Sequence, residues 1–161
     1  MTDVRLATAV DLDGLVELWA ALGADGHRAD RRYRFRDDAA AIARTILADG
    51  WLDDRRCTLV AAAHGRLVGC MAVLPVEPHP VLDEPPTWRV TDAYVSPSHR
   101  RRGLGRRLFA AAHDVAVARG AVSLEVGTLA LDERAVAFWR SLGFGDWRVT
   151  LQCPAVAGAL G

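Results

Sequence analysis

The chain has 161 residues, 51% of them hydrophobic, which suits one domain with a full core and leaves little room for extended disorder. Twenty basic residues balance twenty acidic ones, so the formal net charge is zero and wholesale binding to nucleic acid is disfavoured. No apolar run approaches the roughly 20 residues needed to cross a bilayer, and Met1-Thr2-Asp3 opens no signal peptide, so a cytoplasmic protein without a membrane partner is expected.

Val4-Arg5-Leu6-Ala7 alternates as a short strand does, and Thr8-Ala9-Val10-Asp11 then resembles a capping box leading into Leu12, Leu15, Val16, Trp19 and Leu22 at helical spacing. Gly23-Ala24-Asp25-Gly26 is expected to stop that helix. A basic, aromatic stretch from His27 to Arg36 follows, and Asp37-Asp38 begins a second helix through Ile42, Ile46 and Leu47 that ends at Asp49-Gly50. Thr58 to Ala62 and Leu67 to Leu74 read as two strands joined by the tight turn His64-Gly65. A proline-rich loop runs from Pro75 to Pro86.

Trp88 to Val95 is the expected central strand. Leu104 to Arg119 is a helix with Leu104, Leu108, Ala112 and Val115 on one face, and Val122 to Val126 is another strand. Strand, helix, strand at this length implies a right-handed parallel crossover. Asp132 caps a helix carrying Ala135, Phe138, Trp139 and Leu142, Gly143 stops it, and Trp147 to Cys153 reads as a last strand. The whole is an α/β (α+β) chain in the order βααβββαβαβ: one domain over 1–161, with an ordered core over about 3–152 and a frayed tail over 154–161.

The run from Val95 to Leu108 ends a strand, tightens through Gly103 and Gly105, and opens a helix. Two glycines alone describe an ordinary strand-to-helix turn. A dinucleotide fingerprint lacks its third glycine, because Leu108 stands in that place, and a P-loop lacks the Gly-Lys-Ser/Thr that should follow. The arginines at 100, 101, 102, 106 and 107 change the balance, because a glycine turn at a helix start offers unpaired amides and positive potential to a phosphate. A solvated face is the alternative for Arg106 and Arg107.

Arg100-Arg101-Arg102-Gly103-Leu104-Gly105 resembles the Arg/Gln-x-x-Gly-x-Gly/Ala signature of the GNAT acyltransferase superfamily. Ala135 to Phe144 resembles that family's Asn-x-x-Ala-x-x-Phe-Tyr-x-x-x-Gly-Phe helix motif, with Asp132 at the Asn position. The resemblance implies a mixed sheet of about six strands and about four helices, its fourth and fifth strands splayed to admit the pantetheine arm of acetyl-coenzyme A. It implies pairing of that arm with the backbone near Tyr94 and Val95. Pyrophosphate would lie over the amides of Arg101, Arg102, Gly103, Leu104, Gly105 and Arg106, with arginine side chains, Arg100 included, neutralising its charge. Asp132 and Trp139 are implied contacts to the coenzyme.

The implied reaction is N-acetylation of a primary amine of a small molecule, amino acid or peptide by direct attack in a ternary complex. An alkylamine has a pKa near about 10.4 and must lose a proton before it attacks. Asp92, on the face of the central strand opposite Ala93 and Val95, is the first candidate base, and Glu125 on the adjacent strand the second. For either, the competing role is a structural ion pair with a strand arginine such as Arg89. The Val95 amide is the implied donor to the thioester oxygen.

Two positions depart from the family pattern. Trp139 stands where many members have a tyrosine that protonates the departing thiolate, and an indole N–H is no acid near neutral pH. Asp132, when ionised, only accepts hydrogen bonds, although it caps a helix as well as asparagine does. Cys57, Cys70 and Cys153 include no CxxC pair, so neither a zinc site nor a disulfide framework is signalled, and none is placed for a covalent intermediate. No metal is expected.

The acceptor pocket is expected between His27–Arg36, rich in arginine, and Glu77–Trp88, which carries Glu77, Asp83 and Glu84. The competing reading is a non-catalytic acyl-coenzyme A binding or sensing module on the same fold. The oligomeric state is open, a homodimer included.

Overall fold

The computed structural model describes residues 2–50 and 55–153. The tail expected over 154–161 lies outside the described residues. Five strands form one sheet in chain order: β1 (Asp3–Leu6), β2 (Cys57–Ala63), β3 (Arg66–Pro75), β4 (Thr87–Val95) and β5 (Ser123–Val126). The first four pair antiparallel and β5 joins β4 in parallel. Helix α1 (Leu12–Ala29) and α2 (Ala39–Gly50) lie between β1 and β2 in sequence. Helix α3 (Leu104–Ala118) makes the crossover from β4 to β5, and α4 (Glu133–Arg140) follows. Among the described residues, no helix is long and apolar enough to cross a membrane.

The sheet is covered on both faces, which is why β2 and β3 are nearly continuous apolar runs. On one face Leu15 and Leu18 of α1 and Leu47 of α2 meet Val60, Cys70 and Tyr94. On the other, Leu104, Leu108, Ala112 and Ala116, one turn apart along α3, pack on Leu59, Met71, Val73 and Val90. Alanines at two of those four turns let α3 approach the sheet closely. His64 and Gly65, both at positive φ, make the tight β2–β3 turn expected of that pair.

Two expectations are corrected. Gly23-Ala24-Asp25-Gly26 does not stop α1, which continues to Ala29. Gly23 and Gly26 are buried, and a Cβ on either would collide with the ring of Phe35 or Tyr33. They serve as seats for two aromatic rings, and the helix ends only where Asp30 turns extended.

Trp147 to Cys153 forms no strand, so the sheet has five strands and the order is βααβββαβα. Trp147, Val149 and Leu151 are 73%, 76% and 89% exposed. Period-2 alternation marks a segment able to extend, but a ladder exists only where a neighbouring strand supplies a register, and β5 offers four residues with none matched to this segment.

The entry to α1 is held by Asp11, which is 6% exposed. Its carboxylate accepts both guanidinium prongs of Arg5, at 2.7 and 2.9 Å, and the amide of Thr8 at 2.8 Å. The Arg5 hydrogen bonds outweigh burial and pull the Asp11 carboxyl down to about 2 from an ordinary 3.8. A carboxyl depressed on folding stabilises above its unfolded pKa, and that contribution fades as pH falls through the folded value. Asp11→Asn should therefore cost about 2 kcal/mol near neutral pH, at about 1.4 kcal/mol per pKa unit. Urea denaturation of both proteins at about pH 7 and again near about pH 2.5 checks this, the gap narrowing at the lower pH.

Candidate functional site

Strand β4 is paired with β3 along its length but with β5 only from Thr87 to Val90. Beyond Val90 its second edge has no β5 partner, because β5 ends at Val126, opposite Val90. At that point the β3–β4 register shifts: Val73 opposes Val90 and Ala72 opposes Asp92, which leaves Thr91 as an extra residue. Such a bulge re-aims the side chains after it. Val90, Ala93 and Val95 pack toward α3, whereas Asp92 and Tyr94 face α1 and α2.

After Val95 the chain makes a short 3-10 turn over Pro97–His99, takes a positive φ at Arg101 and another at Gly103, and enters α3. The first helical hydrogen bond runs from the Arg107 amide to the Gly103 carbonyl at 3.1 Å. The amides of Leu104, Gly105 and Arg106 therefore precede any intrahelical acceptor and present donors at the positive end of α3. Gly103 is favoured by its φ of +77°, and at Gly105 a Cβ would lie 3.2 Å from the Phe138 ring of α4, which would have to give by a few tenths of an ångström.

The five arginines of this turn divide. Arg101 and Arg102 are exposed and, among the described residues, make no hydrogen bond or ion pair. Arg106 donates to the carbonyl and hydroxyl of Ser141, at 3.2 and 2.9 Å, and Arg107 donates to the Thr2 carbonyl. Arg100 points inward. Its Nε donates to the Val95 carbonyl at 2.6 Å, its Nη2 pairs with Asp25 of α1 at 2.5 Å, and its guanidinium lies 5.3 Å from the centre of the Tyr94 ring. Asp25 also takes Arg28, so one half-turn of α1 is tied to the end of β4.

On the α1–α2 side a shallow crevice opens to solvent, walled by Leu15, Trp19 and Leu47 and floored by Arg56, Cys70 and Asp92. Arg56 and Asp92 pair at 2.5 Å, with side chains 15% and 20% exposed. Asp92 Oδ2 accepts both the Arg56 Nη2 donor and the Thr91 hydroxyl, and Oδ1 makes no such bond. Phe35 stacks on Trp19 with ring centres 4.2 Å apart, and Tyr33 packs beside it. Burial and the nearby Asp92 charge raise the Tyr33 phenol above its ordinary range. The same two causes push the Cys70 thiol up to about 12, so it stays protonated and unreactive.

Of the residues singled out from the sequence, Asp92 lines this crevice and Glu125 does not. Glu125 sits opposite Arg89 in the β4–β5 ladder and accepts its Nε at 2.6 Å, so the strand arginine partners Glu125 rather than Asp92. Asp132 Oδ1 accepts the Ala135 amide at 3.1 Å, as a cap should. Trp139 is 6% exposed and sits among Phe109, Phe138 and Phe144 in the α3-side core, where it packs edge-on.

Of the two segments expected to frame the acceptor, the first places Phe35 on Trp19 with Tyr33 beside it, and neither ring lines the crevice itself. In the second, Glu77 pairs with Arg55, Glu84 pairs with Arg148, and Trp88 is buried in the core. Sequence reasoning passed over Arg56, Trp19 and Asp25. A signal for Arg56 was present: Cys57, Leu59 and Ala61 alternate toward α3, which places Arg56, Thr58 and Val60 on the α1 side.

A family model described as "Acetyltransferase (GNAT) family" matches residues 13–144. The chain is 35% identical over 107 residues to "N-acetyltransferase family 8 member 3" of Rattus norvegicus, a match that spans 66% of this chain but 44% of that relative's length. Solved structures share the fold at lower identity. A tetramutant of the BH1408 protein from Bacillus halodurans superposes with a TM-score of 0.83 at 20% identity, covering 94% of this chain and 99% of that one. AAC(6')-Iy, solved with the bisubstrate analogue CoA-S-monomethyl-acetylneamine, gives 0.74 at 21% identity over 97% and 99% of the two chains. An aminoglycoside 6'-N-acetyltransferase from Acinetobacter haemolyticus gives 0.73 at 20% over 96% and 99%.

The burial pattern of the thiols sets an expectation for the folded protein. Cys57 and Cys70 are buried and Cys153 is exposed. A chromogenic disulfide reagent at about pH 8 should react promptly with one thiol per native chain, and with three only after unfolding in guanidinium. Rapid reaction of Cys70 in the native protein would contradict the pKa shift.

Proposed function

The chain belongs to the acetyltransferase (GNAT) family, and from that premise we propose that it is an N-acetyltransferase that carries acetyl from acetyl-coenzyme A to a primary amine by direct attack in a ternary complex. The observation that carries the proposal is the parting of β4 from β5 after Val90 beside a turn whose amides are unspent.

The residues present fit the coenzyme. The unpaired β4 edge at Tyr94 and Val95 suits the amides of a pantetheine arm, which can add to it as a strand does. Leu104, Gly105 and Arg106 offer amides to the pyrophosphate, and Arg101 and Arg102 hold the uncommitted charges beside them. Arg100 keeps the turn in place from behind rather than from the front. Phe138, against Gly105, walls the turn where Trp139 was expected.

When bound, acetyl-coenzyme A supplies an acetyl group activated as a thioester, whose C–S bond is exchanged for an amide C–N bond with release of one proton. Asp92 Oδ1 is the atom that accepts the proton of the incoming ammonium, since Oδ2 is committed to Arg56 and Thr91. Arg56 keeps that carboxylate oriented, and Phe35 on Trp19 limits water on the acceptor side. The Val95 amide is the proposed hydrogen-bond donor to the reacting carbonyl oxygen. Trp139, buried as an indole, takes no part in proton transfer. Cys70, held as a thiol, leaves direct attack rather than an acetyl-cysteine. Glu125 holds β4 and β5 together through Arg89 just before they part.

Coenzyme release from acetyl-coenzyme A, followed with a thiol reagent across a panel of amines, should show an amine-dependent rate. Asp92→Asn should lower that rate by about tenfold or more, the range of general-base catalysis, while coenzyme binding persists. An unchanged rate removes Asp92 as the base. Coenzyme binding without turnover of any amine would instead favour a sensing module.

A further inference from the structure

We propose that the acceptor is an aliphatic α-amino acid, its ammonium on Asp92 and its carboxylate on Arg56; this names the acceptor of the transfer reaction above and rests on that reading. The floor of the crevice carries one cation and one anion side by side, 2.5 Å apart. A zwitterion laid across that pair alternates charge at all four corners, so each buried group gains a partner of opposite sign.

Arg56 is under-used as it stands. It donates from Nη2 to Asp92, and its Nε, fully buried, has no hydrogen-bond partner among the described residues. A buried donor left unpaired is costly, and a guanidinium is shaped to grip a carboxylate with two prongs. Asp92 has the reciprocal gap at Oδ1, which is where an ammonium would sit.

The rest of the lining narrows the class. Leu15, Leu47 and Trp19 form an apolar wall, and Phe35 closes behind Trp19. A wall of this kind suits a hydrocarbon side chain rather than the hydroxyl-covered surface of an oligosaccharide. Asp92 is the only carboxylate that lines the crevice among the described residues, so a polyamine would find one counterion for several charges. A simple alkylamine or a peptide amino terminus would leave Arg56 without its anion.

The experiment compares L-leucine, L-leucinamide, 3-methylbutylamine and a linear diamine as acceptors with acetyl-coenzyme A, and titrates L-leucine calorimetrically into the coenzyme A-bound protein. Leucine should exceed leucinamide and 3-methylbutylamine in kcat/KM by about 10- to 100-fold, the value of a charge-assisted contact. Arg56→Gln should collapse that ratio and Arg56→Lys should restore part of it. The wild-type comparison decides the matter even if either variant folds poorly. Equal or better turnover of the acceptors that lack a carboxylate overturns the amino-acid assignment and leaves acetyl transfer standing. Calorimetric binding of leucine with no turnover of any acceptor supports the subsite and overturns the transfer reading. Neither binding nor turnover overturns both.

Discussion

Strand β4 keeps β5 as a neighbour only as far as Val90, and the proposed site is arranged around the five residues that follow. An inner strand has its backbone groups satisfied by one ladder on each edge, so a strand that loses one neighbour midway exposes donors and acceptors in the middle of a domain. The chain uses the break twice. The extra residue Thr91 turns Asp92 to the α1–α2 side, and the free edge runs directly into the glycine turn that opens α3. The backbone and the carboxylate assigned to donor and acceptor in the proposed reaction thus come from neighbouring positions of one strand.

Holding that strand end in place falls to Arg100. Its guanidinium caps the Val95 carbonyl, lies against Tyr94 and pairs with Asp25 on α1, so the turn is braced by the opposite layer of the fold. Asp25 is 13% exposed and takes two guanidinium groups, which offsets the cost of withdrawing its charge from water. A turn braced in this way keeps its amides aimed without drawing on Arg101 and Arg102, which are left to meet a ligand.

Pairing also separates residues of like chemistry. Asp92 and Glu125 are both strand carboxylates on neighbouring strands, and each meets an arginine, yet the outcomes differ. Glu125 lies within the paired part of β4 and β5, opposite Arg89, and its charge is spent across the ladder. Asp92 lies past the point of parting, reaches Arg56 from β2's side of the sheet, and keeps one oxygen unspent. Aromatic residues divide in the same manner: Trp139 joins Phe109 and Phe144 in the core, whereas Trp19 takes Phe35 and faces the crevice.

Local signals along the chain were enough for the elements and for the turn. Apolar spacing marks α3 from Leu104 to Ala116, His64-Gly65 makes a tight hairpin turn, and Gly103 with Gly105 marks the turn that opens a helix. These are readable because their cause lies within a few residues. What failed were readings whose cause lies far along the chain. Gly23 and Gly26 looked like a stop because the rings that need their space arrive only with Tyr33 and Phe35. Trp147 to Cys153 looked like a strand because alternation says nothing about whether a partner edge is within reach.

The sequence by itself determined where a glycine turn opens α3 and that Asp92 and Glu125 sit on neighbouring strands. Only the tertiary structure decided that Arg100 braces the turn, that Arg56 is the partner of Asp92, and that Glu125 is spent. Each of those pairs joins residues 36 or 75 positions apart, and such a pairing depends on strand register and layer packing rather than on any local pattern.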